Sequence, residues 1–195
     1  MFLLRRPTED FIKQTIESQC HQRLTYPDIG LTVESRCPSG YSMNQWQAVI
    51  GKGQTTFLRA KEAITRLHML DLRWLQVVSP PESICEQAPI CTLIRMLGIY
   101  SLQVAKVVHV DNKNPEIKFG FSYGTLPAYP LSGEERFTVS YDPHTQDVVY
   151  EIFSFSRPAN YAIRLGQPYL RYAQRRFCRD SVDAIQKKLQ ERVLD

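Results

Sequence analysis

Long apolar runs are absent from this sequence of 195 residues, and no stretch approaches the roughly 20 residues that a membrane-spanning helix needs. The amino terminus also lacks the pattern of a secretory signal, because Arg5 and Arg6 follow three apolar residues instead of preceding a longer apolar stretch. These two absences predict a soluble, cytoplasmic protein. They leave open a peripheral contact with a membrane surface.

Paired cysteines and clustered histidines are lacking as well. The five cysteines are an odd number, are scattered and include no CxxC pair, so we expect neither a disulfide framework nor a structural zinc site. The four histidines show no ligand spacing, and we expect no metal and no cofactor. A net charge of +4 is too small to indicate nucleic-acid binding, which calls for a clustered basic stripe in a recognisable module.

What the chain does contain is a hydrophobic period that changes from helical to strand spacing and back. Apolar residues at helical spacing predict helices over residues 9–23, 57–69 and 169–194. Alternating or short apolar runs bounded by turn residues predict seven strands. These cover residues 45–50, 72–78, 90–97, 102–110, 117–123, 135–141 and 148–155.

The order of these elements predicts an α+β fold. Hairpin-length connections imply an antiparallel sheet, because parallel neighbours need long crossovers. One strand, a helix, six more strands and a long final helix are typical of the helix-grip fold of START and Bet v 1-like proteins. In that fold a curved sheet of about seven strands grips the carboxy-terminal helix around a ligand cavity. We predict a single domain over residues 1–195, with a helix and irregular segment over 1–43 and the helix-grip core over 44–195.

Several strings of residues carry a family resemblance. They are LTYPDIGLT, GKGQTTFLRAKEAI, FGFSYGTLPAYPLSGEERF, FSRP and QRRFCRDS. In this order, over residues 2–188, they resemble uncharacterised protein family 0548, a domain-of-unknown-function family of bacteria and plants. The resemblance implies no established activity. Relatives often have Gly-His after YGTLP, where this chain has Ala128-Tyr129, and a tyrosine cannot replace a histidine base at neutral pH. This difference weakens an enzymatic interpretation.

Two adjacent carboxylates in the string GEERF are the first candidates for a site. Strand alternation places Glu135 on the same face as Phe137, among apolar residues, where burial would raise the pKa of its carboxyl group. In the functional interpretation, Glu135 faces a ligand and acts as a general acid or base or as a hydrogen-bond acceptor. In the structural interpretation, it forms an ion pair, for which the best candidate is Arg157 at the end of the next strand. Both interpretations stay open.

An aromatic stripe on the strand that ends near Tyr123 is the second candidate. Phe119, Phe121 and Tyr123 point to one side, which is more often core than a binding surface. The alternative is an apolar cavity wall on which Tyr123, Thr125 and Tyr150 provide the polar points.

A basic ridge on the final helix is the third candidate. Arg171, Arg175 and Arg179 are four residues apart and share one side of the helix. Such a ridge is most often a solvated face. The absence of acidic residues between Glu151 and Asp180 makes binding of an anion or of an anionic membrane surface the alternative.

Three functions follow from these candidates. The first is non-catalytic binding of a hydrophobic or amphipathic small molecule in the cavity, with an acidic group of the ligand meeting an arginine. Its predicted contacts are Tyr123, Thr125, Glu135, Phe137, Tyr150 and Arg157. The second is an isomerase, cyclase or hydrolase that uses Glu135 as acid or base in the same cavity. The third is a membrane or protein-interaction module that uses the arginine ridge.

Overall fold

The computed structural model describes residues 1–96 and 98–191 of the chain. It contains eight strands, four α-helices and a 3₁₀ turn at His68–Leu70. The strands are β1 (Phe2–Leu3), β2 (Ser42–Lys52), β3 (Leu75–Ser79), β4 (Pro89–Met96), β5 (Ile99–Asp111), β6 (Lys118–Thr125), β7 (Leu131–Tyr141) and β8 (Asp147–Pro158). The helices are α1 (Glu9–Cys20), α2 (Gln54–Thr65), α3 (Tyr161–Leu165) and α4 (Gln167–Glu191).

The strands form one antiparallel sheet in the order β2-β8-β7-β6-β5-β4-β3. The short strand β1 joins this sheet beside β5. Register shifts interrupt the pairing of β2, β3 and β5, and such irregularities bend and twist a sheet. The predicted fold class is confirmed: a curved antiparallel sheet grips a long carboxy-terminal helix. The prediction of seven strands did not include β1.

Helix α4 packs its apolar side onto the concave face of the sheet. Phe177, Cys178, Val182 and Ile185 are buried in the main hydrophobic cluster, together with apolar residues of α2 and of β6–β8. The Ser181 hydroxyl lies 2.8 Å from the Tyr150 hydroxyl, which ties the middle of the helix to β8. Burial of this stripe holds α4 across the sheet, because the helix is polar on its other sides.

Several elements differ in extent from the sequence prediction. Strand β7 begins at Leu131 rather than Glu135, because Gly133 allows the chain to run very close to β8. A Cβ atom at Gly133 would lie 2.0 Å from the carbonyl oxygen of Phe155. Helix α1 ends at Cys20, three residues before the predicted end. The predicted end of the last helix, Leu194, lies outside the described residues.

The amino-terminal residues cover the convex face of the sheet. Ile12 of α1 packs in a second apolar cluster with Leu93, Leu102 and Leu126. The segment 24–36 (here called the strap) then crosses β6 and β7 on the same outer face, as its hydrogen bonds with these strands show, and the Tyr26 ring packs edge-on against Phe155 of β8. The strap therefore lies on the opposite side of the sheet from α4.

Candidate functional site

A cavity of about 260 Å³ lies between the concave face of the sheet and the first half of α4. The helix contributes Tyr169, Leu170, Ala173, Gln174 and Phe177 to its wall. The cavity opens near Phe2, Ile99 and Tyr169, because these three residues line it and are also exposed to solvent. Its volume is close to the lower end of the roughly 300–1,000 Å³ range of ligand pockets.

Glu135 is the acidic group whose side chain belongs to this concave wall. It pairs with Tyr123 across β6 and β7, and the Tyr123 hydroxyl donates a hydrogen bond of 2.5 Å to its carboxylate. Burial raises the pKa of Glu135 to about 7, although the hydrogen bond from Tyr123 acts in the opposite direction. The carboxyl group is therefore able to take up or release a proton near neutral pH.

Tyr129 completes the polar part of the wall with Tyr123. Burial and then the nearby charge of Glu135 raise the pKa of both phenols, so both stay protonated and can donate hydrogen bonds. Sequence reasoning did not include Tyr129 among the site residues. The one indication in the sequence that this position faces the site was the difference from the relatives, which often have Gly-His where this chain has Ala128-Tyr129.

The other predicted contacts are distributed around the cavity. Thr125 lines it, but its hydroxyl is engaged by the amide and carbonyl of Gly133, at 2.9 and 3.1 Å. Phe137 and Tyr150 are fully buried beneath the cavity, where Phe137 packs against Phe121, Tyr123 and Phe177. These two side chains support the wall, while Tyr123, Thr125 and Glu135 form part of it.

The suggested ion pair between Glu135 and Arg157 was wrong. The residue opposite Glu135 in β8 is Ser154, and Arg157 is three positions further on, so that its side chain leaves from the other face of the sheet. There the Arg157 guanidinium is exposed and lies 4.7 Å from the centre of the Tyr41 ring. An acidic ligand in the cavity therefore does not meet this arginine.

Glu134 has a different environment from its neighbour. Its carboxylate points to the convex face, is 2% exposed, and accepts hydrogen bonds from four groups on three residues of the strap. The donors are the Tyr26 hydroxyl and the Gly30 amide, both at 2.8 Å, and the amide and hydroxyl of Thr32. Glu134 is thus a structural anchor.

Arg136 and Gly124 fix the same junction. The Arg136 guanidinium donates to the carbonyls of Thr32 and Val33 and forms an ion pair with Glu151. A Cβ atom at Gly124 would lie 2.2 Å from the Tyr26 hydroxyl oxygen, so only glycine leaves room for the strap there. The strings LTYPDIGLT, YGTLP and GEERF therefore meet in space as one structural junction, from which Glu135 alone points into the cavity.

The arginine ridge lies on the solvent side of α4. Arg171, Arg175 and Arg179 are all exposed, and Arg179 contacts Asp180 at 3.4 Å. Asp180 also accepts hydrogen bonds from Arg176 and from the indole of Trp74. The aromatic residues near the ridge include Tyr172, which is 59% exposed.

Cysteine side chains near the site are thiols with little tendency to ionise. Cys178 of α4 accepts a hydrogen bond of 3.1 Å from the side-chain amide of Asn44, and burial raises the pKa of its thiol to about 12.

Over residues 1–96 and 98–191, no three His, Cys, Asp or Glu side chains come together in a way that could hold a metal ion. None of the helices in this part of the chain is both long and apolar enough to cross a membrane.

A sheet that grips its last helix, with a cavity between the two, defines a helix-grip protein of the α+β class. The family model described as "Domain of unknown function (DUF1990)" matches residues 25–184, and the chain belongs to this family. The family predicted from the motifs is confirmed by relatives called UPF0548 protein. The one from Dictyostelium discoideum is 29% identical, with 96% of this chain and 95% of the relative covered. The one from Deinococcus radiodurans is 31% identical, with 92% and 94% covered.

Solved structures support the fold alone. A hypothetical protein from Helicobacter pylori matches with a TM-score of 0.53 and 10% identity, covering 76% of this chain and 86% of that chain. Protein NE0264 from Nitrosomonas europaea matches with a TM-score of 0.50 and 7% identity, covering 78% and 97%. At these identities the similarity indicates a shared architecture and carries no activity over to this chain.

Proposed function

We propose that the protein binds a hydrophobic or amphipathic small molecule in the cavity between the sheet and α4. The observation that carries this proposal is the cavity itself, whose exposed wall is largely apolar and includes a polar cluster of Glu135 with Tyr123 and Tyr129. A concave apolar wall with a few convergent polar groups is the usual design of small-molecule sites.

The position of the polar group supports an amphipathic ligand. Leu75, Ile94 and Met96 lie on the wall formed by β3 and β4, while Glu135 and Tyr123 lie on the wall formed by β6 and β7. A molecule with an apolar body and one polar end could satisfy both walls at once. An entirely apolar molecule would leave the carboxyl group without a partner other than Tyr123.

Filling the cavity is expected to weaken binding without unfolding the protein. In Ala173→Phe the added ring would project from α4 into the empty space, so affinity for the neutral fluorescent probe N-phenyl-1-naphthylamine should fall at least tenfold, about 1.4 kcal/mol. Ala173→Ser is the matched control, because it leaves the volume nearly unchanged. Wild-type affinity in Ala173→Phe would contradict the proposed site.

Native mass spectrometry of the freshly purified protein tests the proposal without a chosen probe. A discrete adduct that is lost on denaturation, and is absent from Ala173→Phe, would identify the ligand after extraction. An adduct retained by Ala173→Phe would instead place the ligand outside the cavity.

We propose acid–base catalysis at Glu135 as a second candidate, because its pKa of about 7 suits proton transfer at neutral pH. The test is turnover of the extracted molecule, followed by mass spectrometry. The rate should change with pH near 7, and Glu135→Gln should be slower by about a hundredfold or more. Recovery of the molecule unchanged after long incubation would exclude this activity for it.

The exposed arginine ridge supports a third proposal, contact with an anionic membrane surface. Arg171 and Arg175 are exposed beside Tyr172, and basic and aromatic side chains together suit such an interface. The protein should sediment with phosphatidylserine vesicles at low salt and dissociate at high salt. The double variant Arg171→Glu/Arg175→Glu should lose this binding, whereas Lys187→Glu, further along α4, should keep it. No sedimentation of the wild type at low salt would exclude the contact.

A further inference from the structure

The environment of Glu135 limits which polar end a ligand can bring to it. Of the described residues that line the cavity, none is an arginine, a lysine or a histidine. Within residues 1–96 and 98–191, the one hydrogen bond to the Glu135 carboxylate comes from Tyr123, a neutral donor. By contrast, the neighbouring carboxylate of Glu134 receives four donors from the strap.

The titratable groups that face Glu135 come from four parts of the fold around it. They are Tyr123 on β6, Tyr129 in the connection from β6 to β7, Tyr150 on β8 and Cys178 on α4. Burial raises the pKa of all four groups, so each is neutral at physiological pH and none supplies positive charge. The Tyr150 hydroxyl is in addition occupied by Ser181.

Glu135 is half-buried and has no cationic partner among the described residues that line the cavity, so its charged form is costly, and the cost falls when a cation comes within contact distance. A ligand carboxylate or phosphate would add a second negative charge beside the first and raise the cost. A neutral alcohol would gain one hydrogen bond but would leave the charge unpaired. A ligand ammonium supplies both the missing charge and hydrogen-bond donors.

Aromatic side chains around the same end of the cavity favour a cation as well. Tyr123, Tyr129 and Phe177 line the cavity together with Glu135, and ammonium groups are attracted to the faces of such rings. The remaining wall, which includes Leu75, Ile94 and Met96, suits a hydrocarbon body.

From this arrangement we infer that the ligand is an amphipathic amine, whose ammonium group pairs with Glu135 while its apolar body fills the cavity between β3, β4 and α4. The inference rests on the proposed binding function and names the chemical class of its ligand. It also replaces the earlier expectation of an acidic ligand, because the arginine on which that expectation depended lies on the other face of the sheet.

Three molecules with one skeleton and different polar ends provide the test. These are 4-phenylbutylamine, 4-phenylbutan-1-ol and 4-phenylbutanoic acid, measured by isothermal titration calorimetry at pH 8. The amine should bind at least tenfold more tightly than the alcohol, and the acid should bind most weakly. In Glu135→Gln the ratio of amine to alcohol affinity should fall close to one.

Proton linkage gives a second readout that needs no variant. Binding of the amine requires the ionised carboxylate, so its affinity for the wild type should fall about tenfold or more between pH 8 and pH 5.5. Near pH 6.5 it should also release a proton, seen as a dependence of the binding heat on the buffer. The alcohol should show neither effect.

The outcomes separate this inference from the function on which it rests. If the alcohol binds and the amine binds no better, or if the acid binds best, the cavity takes small molecules but the inference is wrong. An amine preference that survives Glu135→Gln also overturns it. If none of the three binds to the wild type, while Ala173→Phe and the wild type behave alike toward N-phenyl-1-naphthylamine, both the inference and the cavity function fail.

Discussion

Replacing Glu134 with alanine is expected to lower the free energy of unfolding by about 3–5 kcal/mol, the range for removing one partner of a buried charged network. The carboxylate is 2% exposed and accepts two hydrogen bonds of 2.8 Å, from the Tyr26 hydroxyl and the Gly30 amide. It also accepts bonds from the amide and the hydroxyl of Thr32. In the alanine variant these donors lose their acceptor while still being covered by the sheet.

The effect should be concentrated in the strap. Because segment 24–36 is held on the convex face by Glu134 and Arg136, its amides should exchange with solvent much faster in Glu134→Ala than in the wild type. Chemical denaturation measures the loss of stability, and hydrogen exchange locates it. In the folded fraction, affinity for N-phenyl-1-naphthylamine should stay near that of the wild type, since the cavity is on the opposite face.

Glu34→Ala is the matched control for this prediction. Glu34 lies in the same segment, but its ion pair with Arg36 is on the surface, with side chains 61% and 67% exposed. Exposed pairs contribute about 0–1 kcal/mol, so this variant should be nearly as stable as the wild type. Equal effects of Glu34→Ala and Glu134→Ala would show that the Glu134 network does not anchor the strap.

Most of the fold was predictable because periodicity is a local property of the sequence. Alternation identified seven strands, and the length of the final helical pattern identified α4. Strand β1 has two residues, Phe2 and Leu3, which is too few for any period to appear. Helix α3 is a five-residue turn that begins at the Asn160 cap, and it is equally short for such a pattern.

The candidate site was only partly predictable, because its contacts depend on register between strands. Alternation correctly placed Glu135 and Phe137 on one face of β7. The residue of β6 that lies opposite Glu135 depends on the register of the two strands, which is set by the connection between Thr125 and Leu131. The predicted ion pair between Glu135 and Arg157 was wrong for a reason that the sequence contains. Tyr150 and Arg157 were both predicted to face the cavity, but they are seven positions apart in one strand, so their side chains lie on opposite faces of the sheet. The partners of Glu134 come from a segment about 100 residues earlier, which no local pattern reveals.

Glu135→Gln is expected to increase the free energy of unfolding, whereas Glu134→Ala lowers it. The increase is expected only at higher pH. The folded protein holds the pKa of the Glu135 carboxyl group near 7, whereas the ordinary value is 4.5. Between these two values the folded state binds more protons than the unfolded state, so the wild type loses stability as the pH rises. Above pH 7 both states are ionised and the whole cost of the buried charge remains.

The size of this effect follows from the difference in pKa. At 1.36 kcal/mol for each pH unit, a rise from 4.5 to about 7 corresponds to at most about 3 kcal/mol, and water that enters the cavity would make it smaller. Glutamine carries no charge to desolvate. The free energy of unfolding of Glu135→Gln, relative to the wild type, should therefore increase by up to this amount between pH 4 and pH 8.

Urea denaturation of both proteins at several pH values measures this difference, with Glu116→Gln as a control at an exposed position. A stabilisation by Glu135→Gln that appears only above pH 5 would show that the protein keeps an unfavourable carboxylate in its cavity. Proteins retain such costly groups chiefly at functional sites, where a ligand removes the cost on binding. A pH-independent difference would mean instead that Glu135 is as well paired in this fold as Glu134, and the carboxylate would then offer nothing for a ligand to complete.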